Sequence, residues 1–71
     1  MKKIELETGG TVWKILTKPG DLVEEGDILF ILEVMKMEVP YEAPISGKVI
    51  AVHIAEGDFV EEDQLALEIA D

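Results

Sequence analysis

The chain has no cysteine, a single histidine and only six basic residues among 71. Without thiols there is no disulfide, no thiolate zinc site and no redox dithiol, so a small core has to be held by packing alone. One imidazole with no cysteine beside it argues against a transition-metal site. Six cations against sixteen carboxylates leave a net charge of −10. Because nucleic-acid affinity comes largely from Lys and Arg neutralising phosphates, DNA, RNA and anionic lipid surfaces should repel such a chain. Long apolar runs are also missing, the longest being Ile28 to Leu32, far short of a membrane span. Met1-Lys2-Lys3 leads into Glu5 and Glu7 and not into an apolar export signal, which makes the cytoplasm the expected compartment.

What is present is 48% hydrophobic, too rich for a disordered acidic tail and enough for a core. The length suits one small domain over residues 1–71 and excludes a multidomain enzyme with its own substrate cleft. The sequence also repeats. Displacing it by 37 positions pairs Gly10 with Gly47, Val12 with Val49, Gly20 with Gly57, Asp21 with Asp58, Val23 with Val60, Glu24 with Glu61 and Glu25 with Glu62. Neither copy is long enough to bury its own apolar face, so two copies packed around a shared core by a pseudo-two-fold axis is the economical arrangement.

Each copy reads as β structure. Gly10 to Leu16 and Gly47 to Ile54 are rich in β-branched and large apolar side chains, and each leads into a turn that contains glycine and acidic residues. Pro19 and Gly20 are the residue types that the two centres of a type II turn require. Val39, Tyr41, Ala43 and Ile45 alternate with Pro40, Glu42 and Pro44, which fits a strand with one buried face, confined by its two prolines to an edge or a sheet terminus. Ile28 to Leu32 and Leu65 to Ile69 should supply the central core strands. No window has helical spacing with caps, and the strands are expected to close or sandwich so that few edges remain.

The 37-residue displacement carries Met35-Lys36-Met37 beyond the chain in either direction. The mate of that segment is therefore the place where the two termini meet, which puts Lys36 at one end of the domain and both termini at the other. Strands ending near Val34 and resuming near Val39 leave room only for a tight hairpin over Met35-Lys36-Met37. Short hairpins favour Asn-Gly, Asp-Gly or Gly-Gly, whereas here two Met flank a Lys. Local rules broken in this way concentrate at functional sites.

Glu33-Val34-Met35-Lys36-Met37-Glu38 resembles the attachment motif of the biotinyl domains of the biotin/lipoyl attachment family, Glu-Ala-Met-Lys-Met, whose lysine carries biotin as an amide. The segments Gly10-Thr11-Val12, Pro19 to Asp27, Ala43 to Val49 and Glu56 to Val60 are similar to family segments as well. Val34 stands where Ala is usual, and Thr8-Gly9 where many members have a proline-containing segment. The resemblance implies an all-β fold, a flattened β-barrel (barrel-sandwich hybrid) of two four-stranded antiparallel sheets with quasi-two-fold symmetry. It also implies a non-catalytic carrier, monomeric as an isolated domain, with biotin on Lys36. Nothing in the segment activates Lys36 as a nucleophile. The resemblance supplies the activation through a biotin protein ligase that presents biotinyl-adenylate. Met35 and Met37 would be read by partners, with Glu33, Val34 and Glu38 completing the ligase's motif. The loaded arm would carry carboxylate from a biotin carboxylase to a carboxyltransferase, a tethered delivery that raises effective concentration.

Other readings stay open at this point. Lipoyl domains place Asp before the lysine and a small residue after it, so the two methionines favour biotin, with lipoate or dual modification as the alternative. An unmodified interaction domain of the same fold is the third reading. A turn lysine is ordinarily a solvated charge, and Met35 and Met37 could share one strand face in the core. The clusters Glu24-Glu25-Gly26-Asp27 and Glu61-Glu62-Asp63 read as solubilising loops, His53 as a surface or rim residue, and Trp13 and Phe30 as packing residues. The negative charge sets a further expectation: partner surfaces should be basic around their entrances.

Overall fold

The two most apolar segments become the inner strands of two sheets. The computed structural model describes all 71 residues. The strands are β1 (Lys2–Glu5), β2 (Gly10–Ile15), β3 (Leu22–Val23), β4 (Ile28–Val34), β5 (Met37–Glu42), β6 (Gly47–Val52), β7 (Phe59–Val60) and β8 (Leu65–Ala70). One sheet runs β1-β8-β6-β3 and the other β5-β4-β2-β7. Every pairing is antiparallel. The apolar strands β4 and β8 are thus inner strands, and β5 is an edge strand that carries Pro40 but ends at Glu42, short of Pro44 and of the Ile45 to which the alternation extended. Between the sheets lies a core of 14 buried residues, all apolar, in a body measuring 32 × 18 × 17 Å. Phe30 is fully buried and stacks on Tyr41 at 4.7 Å between ring centroids. Trp13 is an outer-surface residue with Lys14 Nζ 5.8 Å from its ring centroid.

The repeat is visible in the irregularities. Pairing skips Trp13 in β2 and Ile50 in β6, which occupy equivalent positions in the two copies. It likewise skips Leu29 in β4 and Ala66 in β8, another equivalent pair. The bulges at Leu29 and Ala66 let consecutive residues point inward, so Leu29-Phe30 and Ala66-Leu67 are buried in pairs, whereas Trp13 and Ile50 stay exposed. A strictly alternating strand could not achieve this.

Four turns share one construction. Pro19-Gly20 forms the expected turn, with Asp21 N–H donating to Lys18 O at 3.1 Å and Gly20 at φ 98°. The turns Glu24–Asp27, Ala55–Asp58 and Glu61–Gln64 close in the same way, at 2.9, 3.1 and 3.2 Å. In all four the first residue's N–H also donates to the fourth residue's side chain, Asp21, Asp27, Asp58 or Gln64, at 2.9 to 3.0 Å. The acidic loops are therefore more than solubilising: Asp21, Asp27 and Asp58 hold the chain in its reversals. The third position is Gly20, Gly26 and Gly57 in three turns and Asp63, at φ 70°, in the fourth.

Register fixes where the ends lie. β3 pairs with the start of β6 (Leu22 opposite Lys48), and Lys48 also faces Ala70 at the end of β8. There Met1's ammonium lies 3.3 Å from Asp71 Oδ1. The Glu24–Asp27 turn leads from β3 into β4, whose seven residues run about 20 Å away from that end. The β4–β5 hairpin and the termini consequently occupy opposite poles.

Two stability changes follow. Asp63→Gly should raise stability by about 0.5–1 kcal/mol, since glycine takes positive φ without a Cβ clash, and Gly26→Asp at the equivalent site should lower it similarly; urea unfolding at constant m-value measures both. The Lys18 ammonium and backbone N–H, both bonded to Asp21, hold its carboxyl below the ordinary 3.8. Its folded value is the lower one, so its stabilisation is full above the ordinary value and is lost as pH falls through the folded value. Asp21→Asn should flatten that acid limb of a stability-versus-pH curve.

Candidate functional site

Glu33 faces Glu38 and Val34 faces Met37 across the β4–β5 hairpin, which leaves Met35 and Lys36 as the entire connection. The expected three-residue tip is thus a two-residue turn, and Met37 is the first residue of β5. The physical reason is twist: a two-residue turn with both centres at positive φ matches the right-handed twist of its strands. Met35 sits at φ 53° and Lys36 at φ 66°. Met35 is 91% exposed and Met37 66%, so neither is a core side chain. Lys36 is exposed and lies within ion-pair distance of no carboxylate, including Glu33 and Glu38.

The base of the hairpin is braced from β2. A Cβ placed on Gly10 would fall 2.7 Å from Glu33 O and 2.9 Å from Val34 Cγ2. Val34, half-buried, therefore fits because residue 10 carries no side chain. Its methyl closes over the β2 backbone and fixes the strand immediately before the turn. Gly47 is the counterpart at the terminal pole, against Ala70 O and Ile69. Sequence reasoning placed Gly10 in the repeat, at the start of a strand and in a family-like segment; its packing role follows from the register.

Paired residues in a sheet share a face, so Glu38, Glu33, Thr11 and Phe59 form one outward row across β5, β4, β2 and β7. Glu33 opposite Glu38 puts like charges in direct cross-strand contact, a destabilising arrangement. Phe59, at the far end of this row, is 88% exposed. His53 lies beyond β6 at the surface, with Nε2 2.9 Å from Glu68 Oε2. No three His, Asp or Glu side chains are grouped to hold a metal ion. The single groove runs between edge strands β1 and β5, past Val39, Pro40 and Tyr41, and is not lined by Met35, Lys36 or Met37. The motif residues thus converge on a protrusion and not a cleft, a geometry suited to presenting an amine to another protein's active site.

Comparison with known proteins agrees with this geometry. Residues 3–69 match the biotin/lipoyl family described as "Biotin-requiring enzyme". The biotin/lipoyl attachment protein of Bacillus subtilis is 43% identical over 67 residues, which is 94% of this chain and 92% of that protein. Pyruvate carboxylase of the same organism is 45% identical over 60 residues, which is 84% of this chain but 5% of that enzyme. Among solved structures, the Kluyveromyces lactis urea carboxylase superimposes with a TM-score of 0.90 at 38% identity, covering 97% of this chain and 6% of that one. The lipoyl domain of the Azotobacter vinelandii 2-oxoglutarate dehydrogenase complex shares the fold, with a TM-score of 0.87 at 22% identity over 100% of this chain and 98% of that one. With a family match over nearly its whole length, two four-stranded sheets and a lysine at the tip of the β4–β5 hairpin, this chain belongs to the biotin/lipoyl attachment domain family.

Proposed function

We propose that Lys36 is the attachment site for biotin and that the chain acts as a non-catalytic carboxyl carrier of a cytoplasmic biotin-dependent carboxylase. The observation that carries this reading is the hairpin tip: an exposed, unpaired amine on a two-residue turn whose backbone is costly for both of its residues. L-residues in the left-handed region each cost roughly 1–2 kcal/mol relative to right-handed backbone, which is why such turns favour Asn-Gly. Met35-Lys36 retains that strain next to the Glu33–Glu38 repulsion, so two local rules are broken within six residues of sequence. Strain of this kind persists where the surrounding structure over-determines it and the position is used.

In this reading the Lys36 amine, once deprotonated in the ligase, attacks the carbonyl of biotinyl-adenylate. An amide forms, AMP leaves, and the nitrogen keeps one hydrogen as the amide N–H while its other two protons pass to the ligase and solvent. Bound biotin supplies the atom that accepts carboxylate; this chain supplies position. β4 and β5 hold Lys36 at the pole opposite the termini, Val34 over Gly10 keeps the hairpin base rigid, and the exposed Met35 and Met37 offer flexible, polarisable contact surfaces to more than one partner. The partners in this reading are a biotin protein ligase, a biotin carboxylase and a carboxyltransferase. The Met flanks favour biotin over lipoate, although one relative, the acetyltransferase component of pyruvate dehydrogenase from Mycoplasma capricolum, is dihydrolipoyllysine-bearing by name and 36% identical over 64 residues.

Intact-mass analysis after incubation with ATP, biotin and a biotin protein ligase should show one biotinyl group on the chain and none on Lys36→Ala or Lys36→Arg. An adduct only with lipoate and a lipoate ligase would replace this reading with the lipoyl one; no adduct from either would leave an interaction domain. The double variant Met35→Asn/Lys36→Gly should accept nothing and yet unfold at higher denaturant, gaining about 1–2 kcal/mol from relief of the turn. Urea titration checks this, and an unchanged midpoint would remove the strain argument.

A further inference from the structure

Phe59 has no role in the fold's interior. It occupies half of the two-residue strand β7, which pairs only with the start of β2, and its side chain stands 88% exposed on the outer face of the sheet that carries the hairpin. Its neighbour Val60 enters the core. Leaving an aromatic ring in water forgoes the burial that makes such residues favourable. The row Glu38, Glu33, Thr11, Phe59 places the ring two strand spacings from Glu33, on the order of 10 Å, at the Lys36 pole.

We propose that Phe59 is a docking residue for the biotin protein ligase that acylates Lys36. This rests on the biotin reading above and adds a contact surface outside the attachment motif. The choice of occupant follows from reach. After acylation, a long flexible arm lets the carboxylase sites stay clear of the carrier surface. Before acylation, the ligase has only the four-carbon lysine stem to span, so its surface must come down onto the hairpin pole. A specific interface covers about 800 Å² on each partner, a disc about 16 Å in radius. Centred on Lys36 and lying on the outer face of its sheet, that disc includes Phe59. The same footprint takes in Glu33 and Glu38, and no lysine lies on that row, so the complementary ligase surface is an apolar pocket with a basic rim. Phe59 is the exposed aromatic on that row within the footprint, and aromatic rings are enriched in interfaces, where a few residues carry most of the binding energy.

The fold contains its own control. The equivalent of Phe59 in the other copy is Leu22, on β3, 82% exposed and at the terminal pole, beyond the reach of a protein seated on Lys36. Biotinylation kinetics of the full chain, with purified ligase, ATP and biotin, would compare Phe59→Ala, Phe59→Leu and Leu22→Ala. Phe59→Ala should lower kcat/KM about tenfold, through KM with kcat nearly unchanged, as expected when uniform binding is removed. Phe59→Leu, which installs the other copy's residue, should recover most of that loss, and Leu22→Ala should match the parent. A Phe59→Ala rate within about twofold of the parent, or an equal loss in Leu22→Ala, overturns the proposal. So does a parent dimer in sedimentation that Phe59→Ala disperses without changing kcat/KM, since the ring's occupant would then be a second copy. If the parent itself takes no biotin, the functional reading fails and this inference with it; a biotinylated parent with an indifferent Phe59 defeats only the inference.

Discussion

The structure depends on one constraint: about 35 residues cannot bury an apolar face by themselves. Each copy of the repeat contributes one long apolar strand, β4 or β8, and covers the other's. The consequences come in pairs. Leu29 and Ala66 bulge inward so that two consecutive residues enter the core at each place, while Trp13 and Ile50 bulge on the facing strands. Gly10 and Gly47 let the strands approach where a Cβ would collide with the neighbouring backbone. Because no polar side chain is buried, specificity of the core comes from shape and register alone, which is what a chain without disulfides needs.

The symmetry is broken at the two poles. At one pole the chain is continuous, and its two-residue connection holds Met35 and Lys36 in left-handed backbone; at the other the chain is interrupted, and an ammonium and a carboxylate meet instead. Glu33 occupies the place that Ala70 has in the other copy, and it faces Glu38 across the hairpin. Replacing a neutral residue by a carboxylate at that point adds repulsion and gains nothing for folding. The scaffold is uniform enough to tolerate this locally, since the strain is confined to a turn that the core does not rest on.

Much of this arrangement was legible in the residues. The identities at a spacing of 37 gave two copies and a shared core, and the missing mate of Met35-Lys36-Met37 gave the opposition of hairpin and termini without any structural knowledge. Of the two positions that Pro40 and Pro44 allowed their strand, an edge or a sheet terminus, β5 takes the edge. The family resemblance supplied the barrel and the attachment role. The parts that were not legible share a cause: they depend on register. A bulge shifts pairing by one residue without any mark in composition, so two adjacent buried residues at Leu29-Phe30 could not be told from a fully buried strand. Whether Met37 was turn or strand likewise depended on whether Val34 found a partner. The closing role of Asp27 and Asp58 was hidden because an acidic loop looks the same whether its carboxylates face water or the backbone. Phe59 stood out only once its neighbours across three strands were known.

The meeting of Met1 and Asp71 at the place where the other copy has a continuous turn means that the chain path is nearly a closed loop, cut at one point. A polypeptide with this topology can be spliced into a surface bend of a host protein with almost no extra length, because it leaves the host and returns to it at the same spot. The host would then be joined at the pole farthest from Lys36, and the reactive amine would face outward like a lamp at the end of a short bracket. A fold whose ends coincide opposite its exposed hairpin is of the kind that tolerates attachment to a host at one point.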